Sequence, residues 1–402
     1  MKLYKYHISI YTVILTLYYL LTMLFPNVGY GTDQAAERIY PQMLMGMIGI
    51  ISLFITIIKF NRLYKSKICR AYLIYLFVTF IYVFFPIEGK TLFENFIGFL
   101  KYNMAILTLF VFYCFLKENR PKATQCLFFI YWVQFIYSME SLLMDRFVYL
   151  AQNDMFNSNA GFNLIAAVPM TLILPNKRVR LYAYIILVLA CLISGQRSAA
   201  LAAVISIPFS ISHLRQSIKK TDIYILVFLG IIAIYPIVHM AYSNIMNRMD
   251  VEANSGAVGS GRSIFWAILL IDFFDHNIFR IFFGNGLFST QTLLMQKYGM
   301  AIDAHNGWIQ NLYVFGILGL ILYARTVFIL FKQNRIVNKI LPKYTNVLLV
   351  CFLIFITKCS TSHGNWDISV MPFALVIAYI SSQYNPSNRG LNTHMEDNKL
   401  SK

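Results

Sequence analysis

The chain has 402 residues, of which 58% are apolar and only 13% are charged. A soluble domain carries about 25% charged residues, so this composition leaves too little polar surface for a water-soluble globule and excludes cytosolic, secreted and disordered proteins. Basic residues exceed acidic ones by 17, an excess typical of nucleic-acid-binding proteins but also of the cytoplasmic loops of membrane proteins.

Continuous apolar runs along the whole chain predict membrane-spanning helices. A helix crosses the hydrocarbon core in roughly 20 residues, and strands are excluded because the runs do not alternate between apolar and polar residues. Twelve spans are predicted, at about 8–26, 41–59, 71–87, 96–116, 124–144, 159–175, 181–197, 198–214, 222–243, 307–331, 344–358 and 367–382. The predicted fold is all-α: a single polytopic membrane domain over 1–402.

The charges that flank the spans predict the orientation. With the N-terminus inside, the cytoplasmic segments hold 23 basic and four acidic residues, whereas the opposite side holds ten basic and 13 acidic residues. The remaining base, Arg325, lies within a span near its predicted cytoplasmic end. Because cytoplasmic loops collect Lys and Arg, both termini are predicted to be cytoplasmic, with 383–402 as a tail. The basic excess is then a topology signal, and no nucleic-acid partner is predicted.

One external loop, 244–306, is much longer than the others, and long loops are typically functional or disordered. Its first part is small and polar, whereas 263–283 is apolar but contains several ionisable residues. A span through this segment would place these residues in hydrocarbon at roughly 2.5–3.5 kcal/mol for each Asp or Arg. The segment is therefore predicted to form one or two short helices at the outer membrane surface. Ser263 is predicted to cap the first of them, with Arg262 at its start.

Several standard site motifs are absent from the sequence. It contains no complete P-loop, no paired acidic motif of a nucleotide-sugar site, and no zinc-protease or serine-hydrolase motif. Its six cysteines lack the C-x-x-C spacing and are predicted to be buried structural residues. No metal or cofactor is predicted. Chemistry on the outer face, where ATP is absent, has to use an already activated substrate.

Polar residues near the predicted outer face form three groups. They are the sequence SGQRS at 194–198 in the turn between two spans, the sequence GRS at 261–263, and the glycine turn GNG at 284–286 with HN at 305–306. An arginine in a tight membrane turn is costly unless it is paired, so it is a functional candidate. The structural alternatives are an arginine that snorkels to lipid phosphate, a solvated loop arginine and an interfacial histidine.

Two arginines and a histidine at an outer membrane surface suit a lipid-linked diphosphate. Arginine offers a fixed fork of donors to phosphate oxygens and stabilises the charge that grows on a departing diphosphate. A histidine accepts the proton of an attacking hydroxyl near neutral pH. None of these steps needs a metal.

With GRSIFW at 261–266 and FGILGL at 315–320, these motifs resemble those of the O-antigen polymerase (Wzy-type) and O-antigen ligase superfamily of bacterial envelope glycosyltransferases. The resemblance covers 181–331 at motif level and the whole chain in topology. It implies a GT-C-like fold in the inner membrane, with a large periplasmic loop. It also implies inverting, metal-independent transfer of a glycan from undecaprenyl diphosphate.

The expected function is polymerisation of an O-antigen, capsule or exopolysaccharide from lipid-linked repeat units. The resemblance implies catalytic roles for three residues: His305, Arg262 and Arg197. The predicted substrate- and diphosphate-binding residues are Arg197, Arg262, Arg280, Gly284, Gly286 and Asn306. The expected partners are an undecaprenyl-diphosphate-linked oligosaccharide and membrane lipid, with a chain-length regulator and a flippase as further partners.

Two alternatives stay open at this point. An O-antigen ligase performs the same chemistry with lipid A–core as acceptor, and a polytopic transporter or flippase also has about 12 spans with both ends inside. A transporter is expected to place its polar groups near the bilayer midplane on broken helices. Outer aromatic residues are candidates for stacking on sugars or for the interfacial aromatic belt; they are Tyr242, Trp266, Tyr298, Trp308 and Trp366.

Overall fold

The structure is a computed structural model that describes residues 10–24, 39–87, 89–118, 120–152, 160–194, 196–215, 262–299, 301–361, 366 and 368–383. These residues form 15 α-helices and no strand, so the predicted all-α fold is confirmed for them. The helices are α1 (Ile10–Leu24), α2 (Ile39–Ile58), α3 (Phe60–Lys65), α4 (Lys67–Ile81), α5 (Leu92–Glu118), α6 (Arg120–Gln152), α7 (Ala160–Leu172), α8 (Lys177–Ile193), α9 (Arg197–Leu214), α10 (Arg262–Phe274), α11 (Ile278–Phe283), α12 (Ser289–Tyr298), α13 (Gly307–Ile340), α14 (Val347–Thr361) and α15 (Met371–Gln383).

Five helical segments are long and apolar enough to cross a membrane, which indicates a multi-pass membrane protein. They are Lys67–Phe84, Leu92–Glu118, Gln125–Met144, Gly307–Ile340 and Pro342–Thr361. Helices also occupy six more of the twelve predicted spans, but these helices are shorter or less apolar. The remaining predicted span, 222–243, lies outside the described residues, as do 244–261 and residue 300 of the loop 244–306.

Helix α5 lies at the centre of the bundle, where 89% of its 18-residue apolar stretch is buried. A helix that is apolar on all sides belongs in such a position. It packs against α2, α4 and α15, and α15 is itself buried along nearly its whole length. Helix α9 packs against α14, and this pair carries the candidate site at one end.

Helix α13 folds back on itself at Gly316, so the predicted continuous span 307–331 is wrong. The rings of Trp308 and Tyr323 are 5.2 Å apart, although a straight helix would separate these positions by about 22 Å. Gly316 has φ 68° and ψ −168°, a conformation that is almost restricted to glycine. The two arms, 307–315 and 317–340, therefore lie side by side as a helical hairpin.

The bend also changes the position of Arg325. This residue lies about 14 Å beyond the bend, whereas the arm 317–340 is about 36 Å long. The predicted position near the cytoplasmic end of a span is therefore corrected: Arg325 lies in the first half of the second arm. Its side chain is exposed.

A second fold-back follows α14, at Trp366. The Trp366 ring stacks on Phe355 with centroids 4.2 Å apart, and its Nε1 donates a 2.8 Å hydrogen bond to Oγ1 of Thr326. Its carbonyl oxygen accepts a 2.9 Å hydrogen bond from the N–H of Ala105 in α5. Since Phe355 lies well before the end of α14, the chain turns back into the bundle after that helix. Helix α15 therefore begins inside the bundle and is shorter than the span predicted at 367–382.

Short helices α10 and α11 occupy the segment 263–283, as predicted. The prediction that Ser263 caps the first of them is wrong, because α10 already includes Arg262 and Ser263 lies within the first turn. Helix α11 presents Ile278 and Phe279 to the exterior, with 73% and 67% of each residue exposed. This exposed apolar surface is what a helix in contact with lipid presents.

Candidate functional site

Two of the candidate segments meet at the carboxyl end of α14. Nη1 of Arg262 donates a 2.6 Å hydrogen bond to the carbonyl oxygen of Thr361, and Nδ2 of Asn306 donates one of 3.2 Å to the carbonyl oxygen of Ser360. Nε1 of Trp308 donates a 3.2 Å hydrogen bond to the Ser360 hydroxyl. The last carbonyls of a helix lack partners within the helix and favour a nearby cation. The end of α14 thus holds together two segments that are far apart in the sequence.

Helix α10 places Arg262 beside the segment that contains His305. Arg262 is half-buried at the start of α10, and Trp266 follows one turn later on the same face. Nε1 of Trp266 donates a 2.7 Å hydrogen bond to the carbonyl oxygen of Ala304. The buried face of α10 packs against α12 and α13 through Phe265, Leu269 and Phe273.

His305 and Asn306 form the turn into α13. His305 has φ 51°, a left-handed conformation that is uncommon for residues other than glycine, and its side chain is half-buried. Asn306 is the N-cap of α13, and its Oδ1 accepts hydrogen bonds from the N–H groups of Trp308 and Ile309 at 2.9 and 3.1 Å. This capping satisfies two of the first amides of the helix. It also fixes the residue that follows His305.

Arg197 begins helix α9 at the same end of the bundle, although its side chain lies outside the described part of the structure. Helices α9 and α14 are antiparallel, because Nδ2 of Asn346, just before α14, donates a 2.8 Å hydrogen bond to Ser212 near the end of α9. Arg197 and Thr361 each lie about 22 Å along their helices from this bond. Both therefore belong to the opposite end of the pair.

The glycine turn at Gly284 and Gly286 packs against the bend in α13. Gly284 has φ 77°, and a Cβ atom there would lie 2.4 Å from the backbone nitrogen of Gly316. The N–H groups of Gly284 and Gly286 donate hydrogen bonds to the carbonyl oxygens of Arg280 and Val314. These amides therefore have their partners within the chain. The turn positions α11 against α13 through close backbone contact.

Arg280 is exposed on α11. Near it, the Tyr313 hydroxyl donates a 2.6 Å hydrogen bond to Oδ2 of Asp272. Nε2 of His276 lies 3.6 Å from the same Asp272 oxygen. The structure therefore places Arg280 beside a surface group of polar side chains and not among the residues that contact the end of α14.

Sequence reasoning missed Lys358, a lysine with only 2% of its surface exposed in the last turn of α14. Its Nζ donates hydrogen bonds to the carbonyl oxygen of Ser369 at 3.2 Å and to the Ser369 hydroxyl at 2.6 Å. It also lies 5.7 Å from the centre of the Phe162 ring. Its charge in the last turn of an apolar helix was the available signal, because intramembrane charges are functional candidates. Ser360 and Thr361 gave no comparable signal, since two of their contacts use backbone carbonyls.

The outer aromatic residues do not act as one group. Trp366 has only 1% of its surface exposed and belongs to the core, so it is not available to stack on a sugar. Trp266 and Trp308 are half-buried and contact the site through their indole N–H groups. Tyr298 packs edge-on against Phe265, and Tyr242 lies outside the described residues.

No family model matches the chain. No curated protein matches it either. Among the residues that the structure describes, no three His, Cys, Asp or Glu side chains are grouped so that they could hold a metal ion.

A guanidinium, an ammonium and an imidazole lie at or near one helix end. Arg262 and Lys358 provide positive charge, and Arg262 is half-buried where solvent screening is reduced. The His305 imidazole has two ring nitrogens that can hold or accept a proton. Arg262 and His305 can together bind an anionic group and move a proton, whereas the Lys358 ammonium is buried and donates to Ser369.

Proposed function

We propose that the chain is a membrane glycosyltransferase that polymerises a polysaccharide from undecaprenyl-diphosphate-linked repeat units. The product is an O-antigen, a capsule or an exopolysaccharide. The observation that carries this proposal is the meeting of Arg262 with the His305–Asn306 turn at the carboxyl end of α14. An anion-binding side chain and a proton acceptor are thereby supported by the same helix end.

In this reaction a hydroxyl of one lipid-linked unit attacks the anomeric carbon of the sugar at the reducing end of the growing chain. The glycosidic bond forms as the bond to the diphosphate oxygen breaks, with inversion at carbon. His305 takes the proton of the attacking hydroxyl. Arg262 and Arg197 hold the departing undecaprenyl diphosphate and stabilise its charge. No metal takes part.

We place the protein in a bacterial inner membrane with about 12 spans, a GT-C-like architecture and both termini in the cytoplasm. The support is the distribution of basic residues along the sequence. In this orientation the site faces the periplasm, where lipid-linked repeat units are polymerised after they cross the membrane. A chain-length regulator and a flippase are the expected protein partners.

One observation favours a second candidate, a flippase or transporter. Helix α13 is broken at Gly316, and broken helices line the substrate sites of many transporters. The two functions differ in the species that accumulates when the chain is deleted. A polymerase deletion leaves single repeat units on undecaprenyl diphosphate at the outer face, whereas a flippase deletion leaves them at the cytoplasmic face.

The test compares Arg262→Lys and His305→Ala with Arg178→Lys, an exposed arginine outside the site. Lysine keeps the charge but lacks the two-donor fork, so Arg262→Lys is expected to lower polymer formation at least about tenfold. His305→Ala is expected to lower it about 100-fold or more. Arg178→Lys is expected to retain full activity. The measurements are the length distribution of surface polysaccharide and the amount of single-repeat lipid-linked material.

Each other outcome has a defined meaning. Full-length polymer in both Arg262→Lys and His305→Ala contradicts the proposed roles. Long polymer that accumulates on undecaprenyl diphosphate in a deletion strain identifies a ligase, which transfers finished chains to lipid A–core. Reporter fusions that place 244–306 in the cytoplasm rule out the reaction at the outer face.

A further inference from the structure

Gln310 contacts the residue that precedes His305. Its Oε1 accepts a 2.8 Å hydrogen bond from the N–H of Ala304, while the carbonyl oxygen of Ala304 accepts one from Trp266. On the other side of His305, Asn306 is fixed as the cap of α13. His305 therefore lies between two residues that are each held by side-chain hydrogen bonds.

The other half of the Gln310 amide joins three further groups. Its Nε2 donates hydrogen bonds to Oγ1 of Thr290 at 2.8 Å, to Oδ1 of Asp303 at 3.2 Å and to the hydroxyl of Tyr102. Only 2% of Gln310 is exposed. A buried amide is unfavourable without its hydrogen-bond partners, so these bonds oppose rotation of the side chain. They connect α5 and α12 to the first arm of α13.

The backbone of His305 needs this support. Its φ of 51° lies in the left-handed region, which is strained for a residue other than glycine. Such a conformation persists only where the surrounding structure enforces it. If the N–H of Ala304 lost its partner, His305 would relax towards an ordinary conformation and its imidazole would move away from its present position.

We propose that Gln310 is a positioning residue that sets the orientation of the His305 imidazole by holding the backbone N–H of Ala304. This inference rests on the proposed function, in which His305 accepts the proton of the attacking hydroxyl. Gln310 acts through His305 and touches no reacting atom. Gln310 lies in the apolar helix α13, five residues after His305. Its side chain can therefore reach back by about one helical turn to the segment that it supports.

The experiment uses membranes that contain the full-length protein and the cell's own lipid-linked repeat units. The rate of polymer formation is measured per amount of protein that stays monodisperse in detergent. Gln310→Leu removes every hydrogen bond of the amide, and a displacement of about 1 Å of a catalytic group lowers rates about 100-fold. We expect Gln310→Leu to lower the rate between about 10- and 100-fold.

A double-mutant cycle separates positioning from a general structural role. In the His305→Ala background, Gln310→Leu is expected to lower the residual rate by less than about twofold, because the residue it positions is already absent. An equal loss in both backgrounds overturns the inference while leaving the role of His305 intact. A His305→Ala variant with full activity instead contradicts the proposed function, so the two failures are distinguishable.

A charge-exchange pair provides a second test that retains the size of the side chain. Gln310→Glu keeps an acceptor for Ala304 but sets a carboxylate against that of Asp303, so the rate is expected to fall at least about tenfold. Adding Asp303→Asn to Gln310→Glu restores an amide–carboxylate pair, in which residue 303 now carries the amide and residue 310 the carboxylate. The double variant is expected to recover to within about threefold of the parent rate. No recovery in a well-folded double variant contradicts the inference.

The matched control is Gln291→Leu. Nε2 of Gln291 also donates a 3.2 Å hydrogen bond to Asp303, but this side chain does not hold the N–H of Ala304, which Gln310 accepts. The rate of this variant is expected to stay within about twofold of the parent rate. A loss as large as that of Gln310→Leu would assign the effect to Asp303 and not to the support of Ala304.

Discussion

An arginine and a histidine lie near each of two opposite ends of the antiparallel helices α9 and α14, and the surroundings of the two sets differ. At one end, Arg180 and His213 each have only 6% of their surface exposed. Arg180 donates two hydrogen bonds, of 2.9 and 2.6 Å, to the carbonyl oxygen of Leu174, and Nε2 of His213 lies 2.9 Å from that of Leu172. These contacts satisfy carbonyls at the end of α7. This buried pair therefore stabilises the fold.

At the other end, Arg262 and His305 are half-buried, and each lies at the start of a helix or in the turn before one. Arg262 donates from Nη1 to the Thr361 carbonyl oxygen, just as Arg180 donates to that of Leu174. The comparison teaches that residue type and hydrogen-bond acceptor do not separate the buried structural pair from the candidate site. Burial does.

The largest expected effect comes from substituting Gly316 or Gly284, whose backbones pack against each other at the bend in α13. A Cβ atom at Gly316 would lie 2.4 Å from the carbonyl oxygen of Phe282, so Gly316→Ala combines backbone strain with a clash and is expected to cost about 3 kcal/mol or more. The apparent melting temperature in detergent should fall, and polymer formation should be lost. Gly284→Ala should behave in the same way.

Gly299→Ala is the control for this prediction. Gly299 has φ 74°, but a Cβ atom added there would meet nothing within 4 Å, so the substitution is expected to cost only about 1 kcal/mol. Equal decreases in melting temperature for Gly299→Ala and Gly316→Ala would show that backbone strain alone accounts for the loss of stability. The close approach of Gly284 to Gly316 would then have no energetic role.

Intermediate effects are expected from removing one arginine at each end. Arg180→Met leaves the Leu174 carbonyl without its donor and is expected to cost about 1.5–3 kcal/mol of stability, with polymer formation per folded molecule retained. Arg262→Met is expected to lose polymer formation with a much smaller change in melting temperature. Melting curves and polymer ladders on the same preparations measure both quantities. The reverse pattern would assign the functional role to the Arg180–His213 pair.

The smallest effects are expected from the helix caps at the two ends. Asn306 caps α13, and Asn176 caps α8 by accepting hydrogen bonds from two backbone N–H groups. Alanine at either position is expected to cost about 1 kcal/mol. Only Asn306→Ala should also lower the polymerisation rate, because Asn306 adjoins His305. Equal rates in the two variants would argue against a role for the His305 turn in the reaction.

The sequence predicted the positions of most helices because long apolar runs carry that information directly. It did not predict the bend in α13, since the conformation of Gly316 depends on contact with Gly284 from another part of the chain. The sequence does not distinguish Arg180 from the neighbouring bases of a cytoplasmic loop, because its burial arises from tertiary contacts. Local sequence therefore predicts helices better than it predicts which charges become buried.

The candidate site was predictable in part. The order of the motifs indicated that Arg262 and His305–Asn306 belong together, and the structure brings these segments to one helix end. The acceptors at that end are the main-chain oxygens of Ser360 and Thr361, which any residue would offer. The contact between Gln310 and Ala304 could not be predicted either, because the role of a glutamine in an apolar helix depends on its hydrogen-bond partners in the fold.

The hairpin in α13 has a consequence for the bilayer around the protein. The bend at Gly316 lies level with Tyr82 at the end of another apolar segment, and Arg335 follows about 28 Å further along the arm, close to the thickness of the hydrocarbon core. Arg325 lies halfway between them, on an exposed face that it shares with Ile321 and Phe328. A guanidinium at that depth draws water and lipid phosphates inwards. Where this arm crosses a bilayer, local thinning of the membrane beside it is the expected consequence.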